Sequence, residues 1–79
     1  MNVTVKLYGT LSSGVPGYQH LRGIEINLLD GATVNDLLAR LDIARTQKAV
    51  VAIDGRIQKA CEKIPEGAHV QIFQPVHGG

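Results

Sequence analysis

Only one stretch of this chain carries helical periodicity, and its apolar stripe has nothing but strand-like runs to lie against. Thr33 stands where a helix N-cap is wanted, and Asp36, three residues on, resembles the far side of a capping box. Val34, Leu37, Leu38 and Leu41 then fall at i, i+3, i+4 and i+7, which places all four on one helix face. Asn35, Asp36 and Arg40 take the wet side. A lone helix cannot bury such a stripe by itself, so it must lie across one face of a sheet.

The remaining sequence supplies that sheet. Val3, Val5 and Leu7 alternate with Thr4, Lys6 and Tyr8, and Ile24, Ile26 and Leu28 repeat the period-two pattern after a gap. Between them, residues 9–23 dissolve into turn formers and read as a long connecting loop, which Leu11, Val15, Tyr18 and Leu21 can pin to the body. The two flanking runs are expected to pair as a hairpin. Ala49 to Ile53 is a near-continuous apolar run, suited to a strand covered on both faces or one whose outer face meets a partner. Asp54-Gly55 predicts a type I′ turn, and Arg56-Ile57-Gln58 the short returning arm. Cys61 to Glu66 is irregular, and Pro65-Glu66-Gly67 is a turn. The closing strand begins at His69 and sends Val70 and Ile72 to one face, Gln71 and Phe73 to the other. The order strand, strand, helix, strand, short strand, strand predicts an α+β fold of the β-grasp type. It would have a mixed sheet of about four to five strands, one helix across one face, and a single domain over residues 1–79.

Composition narrows the function classes. Apolar residues make up 44% of the chain and aromatic residues only 4%, so the core must be aliphatic. Eight Lys and Arg against seven Asp and Glu leave a formal net charge of +1, without the clustered basic excess of a nucleic-acid binder. A single cysteine, Cys61, excludes an internal disulfide framework. The first residues lack the pattern of a signal peptide, and no apolar run approaches membrane-spanning length, so a soluble, cytoplasmic domain is expected.

After the closing strand come Gln74-Pro75-Val76-His77-Gly78-Gly79, read as a flexible tail over residues 74–79. Two glycines make a thin thread that can enter a channel too narrow for any side chain. Glycine usage averages about 7%, so a Gly-Gly terminus arises by chance in roughly half a percent of chains. The tail is expected to present the carboxylate of Gly79 to a partner.

In combination these features resemble the MoaD/ThiS sulfur-carrier family of ubiquitin-like proteins. The resemblance rests on Val5-Lys6-Leu7-Tyr8, on Asp30-Gly31-Ala32-Thr33-Val34 leading into Asp36-Leu37-Leu38, and on Ile53-Asp54-Gly55-Arg56. It continues through Pro65-Glu66-Gly67 to the tail, and covers nearly all of the chain outside 12–23 and 42–48. It implies a carrier with no catalytic residues, metal or bound cofactor of its own. An E1-like adenylating enzyme would use Mg-ATP to convert Gly79 to an acyl-adenylate, and a sulfur donor would then leave a thiocarboxylate. The partner receiving the sulfur would be the large subunit of molybdopterin synthase or a thiazole synthase-like enzyme. Pro75-Val76, the long loop and the length resemble the molybdopterin branch, which is favoured; Ile72-Phe73-Gln74 and the short 42–48 connector also resemble the thiamine carrier. His77 departs from the small residue usual before the glycines. Two alternatives stay open: a ubiquitin-like modifier joined to proteins through Gly79, and a non-covalent β-grasp interaction module.

Other residues are weighed against simpler roles. Phe73 either caps a second small core or, with Val50 and Tyr8, forms an exposed docking patch, and the docking reading is favoured. Pro75, Val76, His77 and Gly78 would be the part that enters a partner's channel. Cys61 reads as a small buried apolar residue. His20, His69 and His77 are too dispersed for a metal site. Arg56, Lys59 and Lys63 either gather near the C-terminal end to steer an acidic partner or form a solvated face, the favoured account. Asp36 with Glu25 or Asp42 offers a weak acid–base pairing that the capping role of Asp36 already explains.

Overall fold

Val5, Leu37 and Ile72 come from three different elements, and each is 0% exposed. They are the centre of an aliphatic core built between one helix and one face of a sheet. The computed structural model describes residues 1–43 and 48–74. Its elements are β1 (Asn2–Leu7), a 3-10 helix (Gly9–Gly14), β2 (Ile24–Asn27), α1 (Val34–Arg40), β3 (Val50–Ile53), β4 (Arg56–Gln58) and β5 (His69–Phe73). The five strands form one sheet in the order β2-β1-β5-β3-β4. β1 and β5 run parallel, and every other neighbouring pair is antiparallel. This is the β-grasp architecture.

The alternation read in the sequence sets the two faces. Val3, Val5 and Leu7 of β1, Val70 and Ile72 of β5, and Val51 and Ile53 of β3 share one buried cluster with Val34 and Leu37 of α1. Burying a leucine side chain as completely as Leu37 contributes about 2 kcal/mol. Leu38 and Leu41 border that cluster, completing the stripe.

Both ends of α1 are closed by local chemistry. The Thr33 hydroxyl accepts from the Asp36 amide at 3.2 Å, and the Asp36 carboxylate accepts from the Thr33 amide at 2.9 Å, a complete capping box. The next orphan amides, Val34 and Asn35, donate to the carbonyls of Glu62 and Ala60, both at 2.9 Å. At the other end Asp42 takes a positive φ of 60°. Ile43 donates to Leu38 O at 2.9 Å and Asp42 to Ala39 O at 3.1 Å, the bonding of a Schellman motif. Asp42 is thus a helix stop, and the Asp36 carboxylate is taken up by the capping box.

Three expectations are corrected. The segment after β1 is not simply a loop, because it opens with the 3-10 helix. Glycine and serine there carry no 3.6-residue pattern, and the segment is held instead by distant contacts. Leu11 is buried, and Val15 and Tyr18 pack against the core, but Leu21 is 92% exposed. The turn in which Arg22 and Gly23 both donate to Gln19 O carries it outward. Gly23 meets the sheet so closely that a Cβ there would lie 2.8 Å from Val5 O. Cys61, read as buried, is exposed. The neighbouring carbonyls of Ala60 and Glu62 are turned toward the helix N-terminus, and the intervening side chain is left in solvent.

Candidate functional site

β5 lies between β1 and β3, so the residues after it leave from the middle of the sheet rather than from an edge strand. The candidate site is the surface around that exit. Phe73 closes β5 on the face away from α1. It pairs in register with Val50 of β3, and it stacks on Tyr8, which follows β1, with ring centroids 4.6 Å apart and 21° between planes. Tyr8 arrives there because its amide donates to Ile72 O at 2.9 Å, which extends the parallel ladder one residue past β1. The structure therefore brings Phe73, Val50 and Tyr8 together. Phe73 remains 36% exposed, so it does not close a second core.

One exposed apolar residue on the same face escaped the sequence reading. Ile57 pairs with Ala52, and Ala52 with Gln71, so Ile57 stands on the same outer face as Phe73 and is 75% exposed. A two-residue turn at Asp54-Gly55 dictates that pairing, so the signal was present in the hairpin itself.

The segment at 9–23 supplies the other rim of the site. His20 meets Tyr8 edge to face, centroids 4.8 Å apart at 82°. Tyr18 holds His20 from behind, with Oη 3.1 Å from Nδ1. The same hydroxyl accepts from the Leu7 amide at 2.7 Å and lies 3.3 Å from Leu7 O. β2 pairs with β1 only as far as Val5, and Tyr18 takes up backbone groups at Leu7, beyond that pairing. The Thr10 hydroxyl hydrogen-bonds Gln74, the last described residue. Gly78, Gly79, His77, Val76 and Pro75 lie outside the described residues.

Arg56, Lys59 and Lys63 do not gather: Lys59 follows Gln58, which pairs with Val51 opposite Ile72, and so stands toward the exit end, while the other two do not. Arg56 pairs with Ile53, which pairs with Val70, so it sits at the hairpin end of the sheet, remote from Phe73. Lys63 lines the same shallow cleft as Arg56, and its backbone bridges to Thr33. Antiparallel pairing of β3 with β5 sends the Asp54-Gly55 turn toward the start of β5, which is why these charges face away from the exit. Among the described residues no three His, Cys, Asp or Glu side chains group as metal ligands, and no helix is long and apolar enough to cross a membrane. What the arrangement offers chemically is a platform: apolar and aromatic side chains around the point where residues 75–79 depart.

Comparison with known proteins gives this geometry a family. A crystal structure of SAMP1 from Haloferax volcanii superposes with a TM-score of 0.72 at 21% identity, covering 100% of both chains. A structure titled putative molybdopterin converting factor, subunit 1, from Pyrococcus furiosus gives a TM-score of 0.69 at 26% identity, covering 95% of this chain and 98% of that one. A second structure of H. volcanii small archaeal modifier protein 1 gives 0.70 at 21% identity, with the same coverage. Among curated proteins, none matches by sequence. The family model described as ThiS family matches residues 6–79, from β1 through both terminal glycines, and the chain belongs to that family.

Proposed function

We propose that this protein is a sulfur carrier that reacts through Gly79. The observation that carries this reading is the reach of the family match, which takes in Gly78 and Gly79 as well as the folded body. In the proposed cycle the Gly79 carboxylate attacks the α-phosphorus of Mg-ATP on a partner adenylating enzyme, releasing pyrophosphate and forming an acyl-adenylate. A carboxylate is a poor electrophile until it carries such a leaving group. A sulfide-level donor then displaces AMP, and the resulting thiocarboxylate delivers sulfur to a cofactor precursor. The carrier contributes no base, metal or phosphate loop. Its own residues serve docking: Phe73, Tyr8 and Val50 present apolar surface beside the exit, with Ile57 two strands away on the same face, where contact can help guide the tail into the partner. Molybdopterin assembly is the favoured destination, in keeping with the likeness to molybdopterin converting factor subunit 1, and thiamine assembly the next.

The test is reconstitution with the adenylating enzyme, ATP and a sulfur donor. Full-length protein should support pyrophosphate release and gain sulfur, and a variant lacking Gly78 and Gly79 should do neither. Equal behaviour of the two would return the chain to a non-covalent interaction module. A second reading changes only the acceptor, making the chain a modifier joined to lysines of target proteins. Small archaeal modifier protein 1, which shares the fold, prompts it. Conjugates in host extracts that disappear on removal of Gly79 would favour it.

A further inference from the structure

Phe73 and Gln74 are the last two described residues before the reactive segment, and the strand alternation sends them to opposite sides of β5. The segment at 9–23 reaches Gln74 directly and Phe73 only through Tyr8. On the outer face its His20 rests edge-on against Tyr8, which stacks on Phe73. On the other side Thr10 hydrogen-bonds Gln74. The chain turns between them at Gly9, whose φ is 70° and where an added Cβ would lie 3.9 Å from the Gln74 Cβ, an ordinary contact. Tyr18 fixes the far end of the straddle by bonding both the Leu7 amide and His20.

We propose that this segment is a clasp on the root of the tail, with Thr10 and His20 as positioning residues that restrain Gln74 and, through Tyr8, Phe73. The kinetic consequence rests on the carrier reading above. A tail whose root swings freely points at the partner's channel only part of the time, and apparent affinity falls by the fraction so oriented. Chemistry at Gly79, once it is seated, is unaffected. Loosening the clasp therefore raises KM for the carrier and leaves kcat alone. A hydrogen bond or ring contact at an exposed site is worth about a two- to fivefold change in an equilibrium, and losing two independent ones about four- to twenty-fivefold.

The experiment uses the full chain with its adenylating enzyme, comparing Thr10→Val, His20→Ala, the double variant, and the conservative Thr10→Ser and His20→Phe. In parallel, NMR relaxation reads the order parameter of the Gln74 amide, which needs no activity. The clasp predicts a higher KM, constant kcat and a lower Gln74 order parameter in Thr10→Val and the double variant, with Thr10→Ser restored to wild type. His20→Phe keeps an aromatic edge against Tyr8 and should recover most of the KM lost in His20→Ala. An unchanged KM in the double variant with its fold intact would overturn the proposal, as would an unchanged Gln74 order parameter or equal losses in Thr10→Ser and Thr10→Val. If the wild type is not adenylated at all, the carrier reading fails together with the kinetic role of the clasp. The order parameter still decides whether the root is held.

Discussion

Tyr8 and Phe73 come from opposite ends of the sequence and stack with centroids 4.6 Å apart because the first and last strands are parallel neighbours in the middle of the sheet. The pair ties the surface around the C-terminal exit to the sheet that carries it. An aromatic contact of this geometry contributes about 0.5–1.5 kcal/mol beyond its buried area. A double-mutant cycle with Tyr8→Ala and Phe73→Ala should show a coupling of that size in urea unfolding. Additive losses would mean that the rings touch without stabilising each other.

Ile57 separates docking from stability. At 75% exposure its truncation to alanine should shift unfolding by less than about 0.5 kcal/mol. As part of a partner surface it should raise the carrier's KM about fivefold or more. A KM that stays level would remove Ile57 from the docking face.

Two glycines should respond unequally. Gly55 has a φ of 81° and open space around its missing Cβ, so Gly55→Ala should cost about 1 kcal/mol. Gly23 has a φ of 71° and would drive a Cβ to 2.8 Å from Val5 O, and Gly23→Ala should cost about 2–4 kcal/mol. Chemical denaturation of the two variants side by side checks the difference.

Asp42 offers the opposite sign. It holds the left-handed position of the Schellman motif, where glycine carries no steric cost. Asp42→Gly should stabilise the protein by about 0.5–1 kcal/mol, measured as a higher urea midpoint at constant m-value. A loss of stability would show that the Asp42 side chain contributes something the helix stop does not require.

The sequence made most of the frame legible because its local signals agree. Val3, Val5 and Leu7 fix one face of β1; Thr33 and Asp36 start the only α-helix among the described residues; Asp54-Gly55 closes the hairpin with positive φ at both positions. What escaped depends on contacts between distant residues. The 3-10 helix after β1 has no periodicity to announce it, and Tyr18 on Leu7 and Thr10 on Gln74 hold that region from afar. Leu21 and Cys61 face solvent because of how nearby backbone groups are used, which their apolar character does not foretell. At the site, alternation put Phe73 and Tyr8 on the face away from the core, but their meeting with each other and with Val50 depends on strand order and register. His20 could not be placed, since it reaches Tyr8 only through a loop whose path the sequence leaves open.

Whether Gly79 carries sulfur can be read by intact-mass spectrometry of the protein, purified from its own host without a C-terminal tag. A sulfur carrier should show a fraction heavier by the exchange of one oxygen for one sulfur, mapped by fragmentation to Gly79, and lose it when the adenylating enzyme is deleted. A mass that stays unmodified in the host, and also after incubation with the adenylating enzyme, ATP and a sulfur donor, would contradict that role.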